Sequence, residues 1–376
     1  MNSTTSKTVP VPRWLIRTLI ALVLIILVFQ LMSLFYRLPD ISGRTQSFAV
    51  VDGTATFLGT AVADDLAAHP GKTGVFLLPH GRDAFAARGL LARKAEKSID
   101  LQYYMYHQDT VGRLLTYEVL RAADRGVRVR MLIDDIYGNQ GEDTWVALDA
   151  HENIEVRLWN PWKRGRNRLI QSVFRAMDIN YRMHSKSFTV DNQATVLGGR
   201  NIGDEYFDAD VDVAFSDIDV LAVGPPVGEV SEEFDEYWNS EFAYPVGILV
   251  RQGTDAELDS LREARTDFYQ SEATSDYVTA LSDSELAHGL ADGNLAFSWA
   301  EARVIHDSSQ KKVLKSKGQD ELLISQLAPD ITSAKKTVDI VSPYFVPGDQ
   351  AADKMCEMAQ NGVEVRILTN SLASND

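Results

Sequence analysis

The chain has 376 residues, 45% of them hydrophobic and 24% charged, which is enough apolar material for a packed core in one large domain or two. Its formal charge of −16 repels a nucleic-acid backbone, so a nucleic-acid partner is not expected. The single cysteine, Cys356, excludes an intrachain disulfide, and no Cys/His cluster has zinc-ligand spacing, so no metal site is expected.

The run Thr18–Tyr36, TLIALVLIILVFQLMSLFY, is 19 residues without a charge, long enough to span roughly 30 Å of hydrocarbon as a helix. Residues 18–36 are therefore expected to be an uncleaved transmembrane anchor. A cleaved signal peptide is the alternative, but the apolar core is long and no A-x-A site follows closely. Lys7, Arg13 and Arg17 precede the run while Arg37 and Asp40 follow it, a small bias that puts residues 1–17 in the cytoplasm and the rest across the membrane.

Residues 37–72 read as a polar linker. Asp83–Ser98 then has helical spacing of Phe85, Leu90, Leu91 and Ala95, and Ile99–Tyr106 reads as a strand. Val111–Gly126 is a helix stopped by glycine, and Val127–Asp135 a second strand. Strand, helix, strand implies a parallel or mixed sheet. The unit recurs: AEKSIDL at 95–101 returns as AKKTVDI at 334–340, and RGVRVRML at 125–132 returns as NGVEVRIL at 361–368. Two landmarks in nearly one register predict an internal duplication. Residues 251–320, acidic and helix-prone with SEATSDY and LSDSE as loops, read as the connector between the copies.

The stretch MHSKSFTVDNQATVLGGRN, Met183–Asn201, carries the chemistry. On a strand, His184 and Lys186 point to one face, so an imidazole nucleophile and an ammonium share a surface. Asp191 and Asn192 supply turn chemistry; Gly198 and Gly199 allow close backbone approach to an anion, and Asn201 adds a neutral amide. This set suits a bound phosphoryl group.

HSKSFTVD is an H-x-K-x(4)-D sequence and GGRN follows it, a pairing that resembles the phospholipase D superfamily. The likeness to its bacterial cardiolipin synthase-like branch runs through DLQYYMY, ADRGVRVRMLIDD, NIEVRLWNP and DIDVLAVGP, with VDIVSPYFVPG resembling the opening of a second catalytic half. It implies an α/β fold with a mixed sheet flanked by helices: a first domain over 73–250 and a partial second domain over 321–376. It also implies phosphatidyl transfer without cofactor or metal. His184 attacks phosphorus to give a phosphohistidine, Lys186 and Asn201 hold nonbridging oxygens beside Gly198 and Gly199, and Asp191 belongs to the same motif with a mainly structural part. Phospholipids, with phosphatidylglycerol or phosphatidylethanolamine foremost, are the implied partners, and a bacterial inner membrane with a periplasmic catalytic domain the implied location. Hydrolysis by water, a nuclease, or a non-catalytic phospholipid-binding protein are the alternatives.

Such a site normally uses two histidines. The repeat spacing puts the second near position 420, beyond Asp376, and no other histidine here has the H-x-K context. A fragment of a longer enzyme, a homodimer with two copies of His184, or an inactive remnant are the three expectations, with weak or no turnover for the chain alone.

Three weaker features remain. Trp159–His184 places Lys163, Arg164, Arg166, Arg168, Arg175 and Arg182 beside aromatic residues, either a lipid-headgroup contact or a solvated basic face. Asp208–Asp219 partly fits a calcium loop but has Val213 where glycine is needed, so it reads as a loop with Asp217 and Asp219 at the site edge. His107 and Asp109 follow a strand end and either touch substrate or form a satisfied polar loop.

Overall fold

The computed structural model describes residues 12–371, apart from 138–139, 176–178, 211–213, 272–273, 293–294 and 311–322. They divide into two compact units, Met1–Ala302 and Arg303–Asp376.

The first unit opens with α1 (Arg13–Phe35), whose segment Arg13–Met32 has a mean hydropathy of 2.6 and no burial inside the protein. By length and composition it is able to cross a membrane. It starts five residues earlier than the apolar run predicts, and Lys7 lies outside the described residues. There follow α2 (Phe57–Ala68), β1 (Thr73–Leu78), α3 (Gly81–Lys94), β2 (Ser98–Tyr103), α4 (Thr110–Asp124), β3 (Arg128–Asp134), α5 (Glu142–Asp149), β4 (Ile154–Trp159) and α6 (Arg168–Phe174). The hairpin strands β5 (Ser187–Val190) and β6 (Ala194–Gly198) lead to β7 (Asp219–Val223), α7 (Pro225–Asn239), β8 (Ala243–Pro245) and the short α8 (Val246–Leu249). Helices α9 (Asp255–Tyr269), α10 (Ser275–Asp283) and α11 (Glu285–Asp292) and strand β9 (Ser298–Ala300) complete the unit.

The strands form one mixed sheet in the order β8-β4-β3-β2-β5-β6-β7-β1-β9. The expected βαβ unit is present: β2 and β3 are parallel, joined through α4, which Asp109 caps by accepting a hydrogen bond from the Gly112 N–H at 3.1 Å. Alternation along the strands gives the sheet two different faces. Ile99, Leu101, Val129, Met131, Val156 and Phe188 are buried with the apolar sides of α3 and α4. The intervening Asp100, Gln102, Arg130 and Arg157 are buried too, on a polar face.

That polar face depends on the segment expected to be a linker. Residues 44–50 form an extended strap whose backbone satisfies the buried cations: Arg130 donates to the Ser47 carbonyl at 2.8 Å and Arg157 to the Thr45 carbonyl at 2.7 Å. In return Asp235 on α7 accepts the Ala49 N–H at 2.8 Å, and Asn192 donates to the Val50 carbonyl at 3.0 Å. The 37–72 linker is thus corrected to a strap followed by α2, because buried arginines need acceptors that strand neighbours cannot supply. The connector over 251–320 is corrected likewise. Its α9 packs on α4 and α5, α10 and α11 pack on α3, and β9 pairs with β1, so it belongs to the first unit up to Ala302.

The second unit contains α12 (Leu323–Thr332), β10 (Thr337–Val341), α13 (Gly348–Gln360) and β11 (Glu364–Leu368), with β10 parallel to β11. It repeats one long-range detail of the first. Asp100 on β2 faces Arg130 on β3 and binds it through two hydrogen bonds of 2.7 and 2.8 Å; Asp339 on β10 faces Arg366 on β11 and binds it at 2.5 and 2.9 Å. The turn before each second strand has a glycine at positive φ, Gly126 at 94° and Gly362 at 88°. The internal repeat read from the sequence is therefore also a structural repeat.

Candidate active site

His184, Lys186, Gly198 and Gly199 lie at one end of the sheet, where β2 and β3 finish and β5 and β7 begin. His184 and Lys186 precede β5 in extended chain rather than lying on a strand, which corrects the strand placement. They still face one another: Lys186 Nζ is 3.3 Å from His184 Nδ1 and donates to the His184 carbonyl at 2.8 Å. His184 is exposed whereas Lys186 is buried. Burial pushes the Lys186 ammonium down to about 8, opposed by the charges of Asp217, Asp219 and Asp134.

Three residues that sequence reasoning missed shape this pair. The Tyr104 ring lies 4.8 Å from the His184 ring, and Lys186 Nζ is 5.6 Å from the Tyr104 centroid. Asp134, buried at the end of β3, accepts from Arg182 at 3.0 Å and from the Met183 N–H at 2.9 Å, so it holds the chain just before His184. Burial raises its carboxyl to about 7, against the Arg182 guanidinium, which favours the ionised form. Glu233 on α7 accepts from the Ser185 hydroxyl at 2.9 Å and secures the residue between the pair. Tyr104 and Asp134 occupy C-terminal strand ends, the position where ligands bind in parallel sheets, and that signal was available in the sequence.

The other predicted residues fall in different places. Asp191 does not join His184: it sits fully buried at the opposite end of β5, where its carboxylate accepts the backbone N–H groups of Glu96, Lys97 and Ser98 at 3.1, 2.7 and 2.9 Å. Asp191 and Asn192, at φ of 53° and 54°, form the β5–β6 turn, so the carboxylate ties that hairpin to the start of β2. Gly198 and Gly199 are at the correct end of the sheet, but what crowds them is carboxylate. A Cβ on Gly198 would stand 2.0 Å from Asp219 Oδ1, and one on Gly199 would stand 2.2 Å from Asp217 Oδ1. Asn201 is buried with its carbonyl accepting from the Met105 N–H at 3.2 Å and its amide donating to the Tyr206 hydroxyl at 2.9 Å, so it ties the chain after β2 to Tyr206. The charges of Asp217 and Asp219 act on Lys186, although Asp219 is fully buried and bound to Arg88 at 2.8 Å.

The basic run is largely spent on structure. Arg164 binds Asp135 and Glu142, Arg182 binds Asp134, and Arg168 donates to the Ile136 and Tyr137 carbonyls at 2.7 and 3.0 Å. Headgroup contact through Arg164, Arg168 and Arg182 is thereby corrected: buried carboxylates at the end of β3 require cations, and these arginines supply them or brace the adjoining loop. Lys163 and Arg166 instead meet the end of α1. Lys163 donates to the Phe35 carbonyl at 2.8 Å, and the Arg166 guanidinium stands 3.9 Å from the Phe35 ring centroid.

Among the described residues, His107, Asp109 and Glu205 form a group whose potential ligand atoms lie within 4.8 Å of one another. Asp109 is committed elsewhere, accepting from Gly112 N–H at 3.1 Å and Asp204 N–H at 2.8 Å, and the hydrogen bond to Glu205 raises the His107 imidazole. The arrangement satisfies a loop with a helix cap and an ion pair, the structural alternative for His107 and Asp109. Of the partial calcium loop, Asp208 accepts from the Gly81 N–H at 2.8 Å, while Val211, Asp212 and Val213 lie outside the described residues.

An exposed imidazole, a buried ammonium beside it and a conformationally fixed segment carrying both are the parts needed to attack and hold a phosphoryl group. Residues 91–238 and 327–376 match the family described as cardiolipin synthase, PLD-like domain. The chain belongs to this family. Cardiolipin synthase C of Escherichia coli (strain K12) is 40% identical over 321 residues, covering 85% of this chain and 67% of that protein. An uncharacterized protein of Helicobacter pylori (strain ATCC 700392 / 26695) is 33% identical over 347 residues, covering 92% of this chain and 68% of that one. Among solved structures, phosphatidylserine synthase of Haemophilus influenzae Rd KW20 aligns with a TM-score of 0.47 at 14% identity, over 83% of this chain and 66% of that chain. The first block of the cardiolipin synthase family match contains His184, Lys186, Asp134 and Tyr104; the second contains the repeat of the βαβ unit.

Proposed function

We propose that the chain is a membrane-anchored phosphatidyltransferase of the cardiolipin synthase type, with His184 as nucleophile. The observation that carries this reading is the approach of Lys186 Nζ to within 3.3 Å of the His184 ring. The imidazole attacks the phosphorus of a phospholipid; a nitrogen–phosphorus bond forms and the bond to the headgroup oxygen breaks, the departing alkoxide taking a proton from an acid. An acceptor alcohol then attacks phosphorus, displaces the imidazole and gives its proton to a base. Lys186 stabilises the charge that develops on the nonbridging oxygens, and Tyr104 and Asp134 fix the geometry of the pair. No metal ion is required by this sequence of bonds. The anchor is α1, with the catalytic unit in the periplasm of a bacterial inner membrane.

A complete exchange needs an acid for the departing alkoxide, which in this reading comes from a second H-x-K motif outside these 376 residues or from a second copy of the chain. Phosphatidylglycerol or phosphatidylethanolamine is the donor. The test is the product spectrum of the purified chain in vesicles holding labelled phosphatidylglycerol, with His184→Ala as control. Labelled cardiolipin or phosphatidic acid that disappears with the substitution supports the reading, and separates transfer from hydrolysis. Activity unchanged by His184→Ala would overturn it. Labelled lipid retained without turnover, even with the second half supplied, would favour the phospholipid-binding alternative.

A further inference from the structure

Helix α6 presents three apolar side chains to the outside: Leu169 is 80% exposed, Val173 65% and Ile170 40%. Positions 169 and 173 are four apart and 170 and 173 three apart, so the three share one helix face. The helix cannot turn that face inward, because its other side is bonded to the protein. Gln171 is fully buried and bridges to Lys163, accepting its N–H at 2.8 Å and donating to its carbonyl at 3.0 Å. Arg168 stacks 4.7 Å from the Trp162 ring centroid while donating to the Ile136 and Tyr137 carbonyls, and Asn167 caps the first turn. An apolar face held outward by polar bonds behind it is built for an external partner.

Its neighbour indicates which one. α6 packs against α1, and the residues leading into α6 bind the C-terminal end of that helix, Lys163 at the Phe35 carbonyl and Arg166 over the Phe35 ring. Phe35 lies just past the apolar segment Arg13–Met32, where a spanning helix leaves the hydrocarbon. We propose that α6 is an interfacial helix that inserts Leu169, Ile170 and Val173 into the leaflet where α1 emerges, with Lys163 and Arg166 at the level of the anionic headgroups. This rests on α1 spanning the membrane and extends that reading to the catalytic site. Through Arg168, α6 braces the loop carrying Tyr137, which with Tyr104, Asp134 and Asp135 lines a pocket of about 300 Å³ that includes its open mouth. The link from α6 to the candidate site thus runs through Tyr137 to Tyr104, whose ring lies 4.8 Å from that of His184.

The test uses the full chain reconstituted in phosphatidylcholine–phosphatidylglycerol vesicles, in a Cys356→Ser background, with an environment-sensitive fluorophore on a single new thiol. Leu169→Cys reports α6, Leu22→Cys reports the centre of α1, and Leu77→Cys, on the far half of the sheet, is the aqueous control. Quenching by spin-labelled lipid several-fold stronger at 169 than at 77, with strong quenching also at 22, is the expected result. Quenching at 22 alone would overturn the interfacial helix while leaving the anchor intact. No quenching at either position would overturn both. Shielding of position 169 from aqueous iodide without lipid quenching would mean that a second copy covers the face, and would equally overturn the proposal.

Discussion

Asp191 shows how a motif residue can lie away from the candidate nucleophile and still be bound tightly into the fold. Its carboxylate is the shared acceptor for three consecutive backbone N–H groups at the start of β2, and no other side chain in those contacts replaces it. Asp191→Ala should cost about 3–5 kcal/mol of stability, visible as a lowered Tm in circular dichroism, because buried donors lose a charged partner. A Tm within a degree or two of the parent would contradict the anchoring role. Lys186 carries the opposite kind of prediction. Burial lowers its ammonium to about 8, so activity should fall as pH rises through 8, and Lys186→Arg should carry the alkaline limb to higher pH even with a reduced maximum rate. Folding stability moves the other way. Between about 8 and the ordinary lysine value of 10.5 the unfolded chain binds a proton that the folded chain does not, so the Lys186 contribution to stability grows with pH there. A loss of activity above pH 8 that tracks unfolding would therefore contradict the assignment. At this scale His184 and Lys186 were legible as a pair because their spacing puts them on one side of an extended chain. Tyr104 and Asp134 carried a positional signal at the ends of β2 and β3 that went unread, whereas Glu233 on α7 reaches the segment over 182–186 only through the fold.

At the scale of elements, strands and helices with strict apolar periods declared themselves, as in Ile99, Leu101 and Tyr103 on β2 and Val129, Met131 and Ile133 on β3. The strap over residues 44–50 has no period at all. Its role lies in backbone carbonyls that meet Arg130 and Arg157, partners 83 and 112 residues away, and a linker-like composition cannot reveal that. Asp235 is the side chain that ties strap to sheet, accepting Ala49 N–H and pairing with Arg130 at 2.8 Å. Asp235→Ala should leave Arg130 with one carboxylate partner and release the strap, so limited proteolysis should cleave within 44–52 at least several times faster than in the parent. Unchanged cleavage would mean that the arginine contacts alone hold it. The basic run near α6 was half legible for a related reason. Its composition announces cations, but which of them meet Asp134, Asp135 and Glu142, and which meet the end of α1, depends on where β3 ends and α1 emerges.

For the whole molecule, the repeat is the feature that sequence and structure express in the same terms. Asp100 with Arg130 and Asp339 with Arg366 are equivalent cross-strand pairs in equivalent parallel strands. Replacing either arginine by leucine should test the equivalence: Arg130→Leu, with the pair buried under the strap and α7, should destabilise its unit by about 3–5 kcal/mol, whereas Arg366→Leu, with its pair exposed, should cost far less. Equal losses at the two sites, measured by urea denaturation, would contradict this account of the polar face. In the proposed reading the first repeat carries the nucleophile, His184.

The claim that His184 is the nucleophile can be isolated from the acid that the exchange needs by choosing a substrate whose leaving group departs without a proton. Phosphatidyl-p-nitrophenol in mixed micelles, followed by stopped-flow absorbance, provides this. A rapid release of p-nitrophenolate equal to the amount of protein, absent from His184→Ala and retained in a surface control such as Leu77→Ser, is the predicted result. No such burst from the folded parent chain, or a burst that survives His184→Ala, would contradict the account.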